Sequence, residues 1–161
     1  MTAKEITRKI VHRFFPPRTW AVCPNVAWGR GINLPGEADI YAVSDSNRTH
    51  EVEVKVSASD LRRDRLKDRW QRQQGWESYV DCYWLVVPVK LEKLARRRAE
   101  ELKCGLFLVH DDGDIRRVIT PKVKRRKFKE IHELKDRRPA VWRLCSLRYW
   151  EHALSEKTEG G

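Results

Sequence analysis

The sequence predicts an α/β fold, a mixed central β-sheet flanked by helices. Three observations predict it. An amphipathic segment at helical spacing opens the chain, two alternating segments then follow as a hairpin, and a later continuous apolar run has the length of a strand buried on both faces. The first six segments read α-β-β-β-α-β, with further strands and helices appended.

Each element has a local reason. Residues 2–15 begin with Thr2 and Glu5 at capping-box spacing and set Ile6, Ile10, Val11, Phe14 and Phe15 at helical intervals. Pro16 and Pro17 end that helix, and Trp20 to Trp28 is apolar enough for a first strand, interrupted by Pro24. Gly29 to Gly36 reads as a loop. Asp39 to Ser44 and His50 to Val56 alternate as strands, joined through the polar residues Asp45 to Thr49. Ser57, Ser59 and Asp60 offer N-cap side chains to a helix running to about Tyr79, with Leu61, Leu66 and Trp70 as its sparse apolar stripe. Cys82 to Val89 is the continuous apolar run and belongs at the centre of the sheet. A short Arg- and Glu-rich helix from Leu91 to Leu102 precedes a second hairpin, Leu106 to His110 and Ile115 to Ile119, around the D-D-G-D stretch Asp111 to Asp114. Past Pro121 the chain turns basic over Lys122 to Lys129, and Val141 to Leu154 carries Trp142, Leu144, Cys145, Leu147 and Trp150 at helical spacing.

At 161 residues the chain suits one domain over 1–155, with a core at about 2–120, a basic helical extension over 121–155 and a flexible tail over 156–161. Lys and Arg outnumber Asp and Glu by 34 to 23, a net charge of +11 that points to a polyanionic partner, nucleic acid first. The four cysteines are widely spread without C-x-x-C spacing, which argues against zinc and for buried free thiols in a reducing compartment. No stretch has the apolar length of a signal peptide or a membrane span, so a soluble, cytoplasmic protein with no membrane partner is expected.

The chemistry lies in the first hairpin. A period of two puts Glu51, Glu53 and Lys55 on one face of their strand and Val52, Val54 and Val56 on the other. Alone, that pattern is what the wet side of an amphipathic strand also produces. A turn centred on Ser46 and Asn47 makes opposed residue numbers sum to about 93, which would turn Asp39 away, whereas a sum of 92 or 94 brings Asp39 to the face of Glu53 and Lys55. Two carboxylates held together repel unless a cation sits between them. Oxygen ligands from Asp39 and Glu53, with the backbone carbonyl of Val54, favour Mg²⁺ or Mn²⁺ over zinc, and Glu37 is a candidate to assist a second ion. Such an ion lowers the pKa of bound water and neutralises charge in phosphodiester hydrolysis. Lys55 is the third catalytic candidate, orienting or deprotonating the attacking water or stabilising the developing charge.

Asp39 and, fourteen positions later, Glu53-Val54-Lys55, on a hairpin within an α-β-β-β-α-β order, resemble the PD-(D/E)xK nuclease superfamily. More narrowly, E-V-K-V-S-A-S-D-L-R-R-D-R (Glu53 to Arg65), Cys82 to Pro88 and Gly105 to Ile115 look similar to the MmcB-like DNA-repair nuclease group, and the resemblance covers roughly residues 20–120. It implies a restriction-endonuclease-like core and metal-dependent cleavage of DNA in preference to RNA. Two features depart from the pattern: Gly36-Glu37-Ala38 separate Pro35 from Asp39, and the helix after Lys55 carries an apparent insertion around Arg69 to Gly75. Some superfamily members add an acid from the first helix, for which Glu5 is available although its spacing from Thr2 suits a cap better. Others add a polar residue from the helix after the motif, where Gln73 and Gln74 stand, though solvent-facing glutamines are the plainer reading.

Arg62, Arg63, Arg65, Lys67, Arg69 and Arg72 load the helix beside the site with positive charge, where a phosphate backbone would run. Lys124, Arg125, Arg126 and Lys127 form a second basic run, equally suited to gripping flanking duplex or to a disordered arm. The expected function is a structure-selective or weakly sequence-specific DNA nuclease in repair, recombination or a mobile element, with which a homodimer is compatible. The rival is a non-catalytic basic nucleic-acid-binding module on a degenerate nuclease fold; a basic protein-interaction factor is a third reading.

Overall fold

The computed structural model describes residues 1–17, 19–27, 37–46, 48–63 and 80–123. The expected continuation of the second helix to Tyr79 and the helical extension beyond residue 123 lie outside the described residues.

Helix α1 (Ala3–Phe14) starts where the sequence dictates: Thr2 Oγ1 accepts from the Glu5 amide while the Glu5 carboxylate takes the Thr2 amide, a complete capping box. Strands β1 (Trp20–Ala27), β2 (Glu37–Ser44) and β3 (Thr49–Val54) follow, then helix α2 (Ala58–Arg63) and β4 (Cys82–Pro88). A single 3₁₀ turn, Val89–Leu91, leads into α3 (Glu92–Leu102), and β5 (Gly105–Val109) and β6 (Ile115–Ile119) close the described chain. The order α-β-β-β-α-β is the predicted one.

The six strands among the described residues form one sheet in the order β1-β2-β3-β4-β5-β6. β1, β2 and β3 are successively antiparallel, β4 is parallel to both β3 and β5, and β6 returns antiparallel to β5. β4 is therefore central, and every residue of it before Pro88 is buried. β1 is an edge, and it runs through Pro24 in unbroken register with β2, because a missing N–H costs little on an edge strand.

Strand alternation divides the core into two layers. Ile6, Ile10 and Val11 of α1 pack on Ile40, Val52 and Val86 on one face. On the other, Leu61 of α2 and Ala95 and Ala99 of α3 cover Tyr41, Leu85 and Leu106. Each fully buried aliphatic side chain in these layers contributes about 1.5–3 kcal/mol. Cys23, Cys82 and Cys104 are buried, as expected.

On the α1 face the polar content of the core is spent on one aromatic cluster. Trp84 donates its indole N–H to His50 Nδ1 at 3.0 Å, stacks on Phe107 at 4.6 Å between centroids, and lies across Gly105, where an added Cβ would come within 2.2 Å of the indole. Phe15 and Trp20 meet the His50 ring edge-on. Next to it, the buried Asp81 carboxylate accepts from the Thr49 amide and hydroxyl, while the Asp81 amide donates back to Thr49, which ties the start of β4 to β3.

Two predictions follow from this cluster. Gly105→Ala drives a methyl group into Trp84 and is expected to cost about 1–3 kcal/mol in urea unfolding, with no such penalty if the ring has room to withdraw. Burial, helped by the charge of Arg48, lowers the His50 pKa to about 4 from the ordinary 6.5. Between those values the unfolded chain binds a proton that the folded chain refuses, so stability is complete above about pH 6.5 and is lost as the pH falls toward 4. The full effect is about 3 kcal/mol. Urea melts between pH 7.5 and 4 should show that slope, and His50→Gln should flatten it.

Candidate active site on the β2–β3 hairpin

The site begins with the register of β2 against β3. Ile40 opposes Val52, Tyr41 opposes Glu51 and Ala42 opposes His50, so paired residue numbers sum to 92 and not 93. The Ser44 amide donates to the Arg48 carbonyl at 2.9 Å, so the turn centres on Ser46 rather than between Ser46 and Asn47. That half-residue shift decides the face: continued along the ladder it sets Asp39 opposite Glu53, on the same side of the sheet as Glu51 and Lys55.

This side is not wet. Glu51 and Glu53 are 7% and 2% exposed, so this face is not the wet side of an amphipathic strand. The reason is a second core layer: Tyr41 and Tyr83 flank Glu51 across the sheet, Leu85 lies opposite Glu53, and Leu61 of α2 packs into the same cluster. A carboxylate taken from water needs compensation. Lys55 Nζ supplies it to Glu53 at 2.7 Å, in an ion pair whose side chains are 13% and 3% exposed. Asp39, half-buried, accepts the Val54 amide at 2.7 Å through Oδ2. The Lys55 amide donates the other way, to the Val86 carbonyl at 2.9 Å, so strand alternation turns the Val54 carbonyl to the same side as its own amide, toward β2 and Asp39.

Asp39, Glu53, Lys55 and the Val54 backbone thus meet at the end of the β2–β3 ladder. Ser57 just beyond caps α2 with its side chain: Oγ accepts from the Asp60 amide at 3.1 Å and donates to the Asp60 carboxylate at 2.6 Å. Arg62 and Arg63 of α2 are exposed, and Arg63 pairs with Asp60 at 3.1 Å. Arg65, Lys67, Arg69, Arg72, Gln73, Gln74 and Lys124 to Lys127 lie outside the described residues. Glu37 opens β2 opposite Ala27, and its side chain is likewise outside the description. Glu5 does not join: its carboxylate is held in the α1 capping box, and α1 covers the opposite face of the sheet. The buried carboxylate not singled out beforehand is Asp81, whose only signal was an acid directly before an apolar strand.

No family model matches the chain, and no curated protein matches it. A solved structure of a protein of unknown function from Silicibacter pomeroyi is similar, with 19% identity, a TM-score of 0.56 and coverage of 94% of each chain. That likeness is one of fold.

Among the described residues, no group of three or more His, Cys, Asp or Glu side chains gathers as a metal-ligand cluster. Asp39 and Glu53, which the register sets opposite one another, carry hard oxygen donors of the kind that suits Mg²⁺ or Mn²⁺. No helix among the described residues is long and apolar enough to cross a membrane.

The Glu53–Lys55 pair carries its own test. Lys55→Met leaves Glu53 charged in a buried position, at an expected cost of about 3 kcal/mol in EDTA. Adding Glu53→Gln to that variant should recover most of the loss; equal stability of the single and double variants would show that the two side chains are not coupled.

Proposed function

We propose that the protein is a Mg²⁺- or Mn²⁺-dependent nuclease that hydrolyses DNA phosphodiester bonds at Asp39, Glu53 and Lys55. The observation that carries this reading is the register: two carboxylates and a lysine share one face at the end of β2–β3, in the D…E-x-K arrangement that resembles the PD-(D/E)xK superfamily. The net charge of +11 supports a polyanionic substrate.

In this reading the Asp39 and Glu53 carboxylates and the Val54 carbonyl hold the ion. Bound there, it supplies Lewis-acid activation of water and charge neutralisation on the phosphodiester. Lys55, whose Nζ lies 2.7 Å from Glu53, stabilises negative charge on a phosphate oxygen or orients or deprotonates the attacking water. Tyr41, Tyr83 and Leu85 pack on the same face around the two glutamates and fix the strand that carries these groups. Arg62 and Arg63 on α2 offer exposed cations to the adjacent phosphate backbone. A role in repair, recombination or a mobile element, and a cytoplasmic location, belong to the same proposal.

A second reading has one observation in its favour: Lys55 and Glu53 form a buried ion pair at 2.7 Å. A non-catalytic nucleic-acid-binding module would use that pair structurally and bind DNA equally in EDTA.

The test is incubation with linear, supercoiled, branched and single-stranded DNA in Mg²⁺, Mn²⁺ or EDTA, beside Asp39→Asn and Lys55→Ala. Cleavage that needs the metal and drops about a hundredfold or more in both variants is expected. Absence of metal-dependent cleavage on every substrate, or undiminished cleavage by both variants, overturns the proposal. Independently of cleavage, Mg²⁺ at about 100 times its Kd should stabilise the wild type by about 2.7 kcal/mol and leave Asp39→Asn nearly unchanged.

A further inference from the structure

Strand direction decides what lies beside the site at the end of the sheet. β3 and β4 are parallel, so the chain leaves both at one edge, the edge where antiparallel β2 brings in Asp39. The Lys55 amide donates to the Val86 carbonyl at 2.9 Å, and soon after Val86 the 3₁₀ turn Val89–Leu91 presents Lys90. Sheet order puts β4 on the side of β3 away from Asp39, one strand spacing of about 4.8 Å off. The turn leads into α3, which covers the face that holds Glu53 and Lys55. Across this edge the order is therefore Asp39, then Glu53 with Lys55, then the entry to α3.

The charges at that entry are not cancelled. Lys90 and Lys93 are both exposed, three residues apart on one row, and neither forms an ion pair among the described residues. The acid between them, Glu92, is held by Arg96 at 2.8 Å. Farther along α3, Glu101 holds Arg98, and exposed Glu100 stands three residues from Arg97, so the uncompensated charge is confined to the start of the helix. On the α2 side, Asp60 is taken by Arg63 and the Ser57 hydroxyl, which leaves Arg62 exposed. Asp111 and Asp112 are exposed at the same end beyond β5, but their turn leans on α1 and the opposite face, where Lys9 Nζ donates to the Gly113 carbonyl. An ammonium on a flexible stem follows a phosphate without reading a base. Two of them about 5 Å apart along the helical rise suit successive charges of a backbone.

We propose that Lys90 and Lys93 are a DNA backbone track at the lip of the site, on the side of Lys55 away from Asp39, where they hold the phosphates next to the one cut. That placement relative to a cut phosphate rests on the nuclease reading; the phosphate contacts themselves do not.

The experiment measures binding of a labelled DNA duplex to the full chain in EDTA across a range of KCl, so that cleavage plays no part. Lys90→Gln/Lys93→Gln is compared with Lys4→Gln/Arg117→Gln, which removes equal charge from exposed positions on the α1 face, and thermal melts verify that both fold. The lip variant should lose about tenfold in affinity at low salt, and its slope of log K against log salt should shrink by about 1.8, the loss of two phosphate contacts. The α1-face variant should change neither by as much. In Mg²⁺, kcat/KM of the lip variant should fall by the same factor as its affinity. No DNA binding by the wild type, unchanged affinity and slope in the lip variant, or equal losses in both variants overturns the proposal. A wild type that binds through the lip yet never cuts in Mg²⁺ overturns the nuclease reading alone, and a lip variant that binds and cuts like the wild type overturns this one alone.

Discussion

Most of what is distinctive in this molecule depends on how β3 is seated against β2. A strand alternates with a period of two, so a register change of one residue exchanges everything that faces α1 for everything that faces α3. The pairing of Ile40 with Val52 sends those two side chains under α1 and leaves Glu51, Glu53 and Lys55 in the layer with Tyr41, Tyr83 and Leu61. The turn that sets this pairing is short, and Ser44 supports it twice, through its amide to the Arg48 carbonyl and through its hydroxyl, which accepts the Arg48 amide. A few hydrogen bonds at a hairpin end therefore decide which charges are buried about 10–17 Å along the ladder, at about 3.3 Å per residue.

Burying those charges is costly, and the arrangement limits the cost by keeping each one short of isolation. Glu53 has Lys55, Asp39 has the Val54 amide, and Asp81 has Thr49. A hydrophobic substitute for an ion pair of this kind often stabilises a fold. Retaining carboxylates under a second core layer thus sacrifices stability at the end of a strand that the topology holds rigid on both sides, between antiparallel β2 and parallel β4. Rigid placement is what a set of converging polar groups needs if it is to act on a ligand.

Much of this was legible in the residues. The capping box at Thr2 and Glu5, the hairpin around Asp111 to Asp114 and the centrality of Cys82 to Pro88 follow from local rules, because cap spacing, turn chemistry and apolar runs each report a short-range constraint. The sharing of a face by Glu53 and Lys55 also needed nothing but alternation. Two things were not legible. The position of Asp39 depended on the turn centre, which one residue changes, and the burial of Glu51 and Glu53 depended on Leu61 and the tyrosines arriving from other strands and α2.

The place of β4 has a consequence for how the chain reaches this structure. Hairpins β2–β3 and β5–β6 are made of near neighbours in sequence, whereas β4 joins them by parallel pairing on both sides and can dock only after two longer crossovers have closed. Until then C-Y-W-L-V-V stands without partners, short, uncharged and rich in β-formers, which are the attributes of a self-associating segment. Pro88 and Asp81 bracket it, one lacking a donor and the other charged, and so serve during folding as guards against intermolecular strand addition.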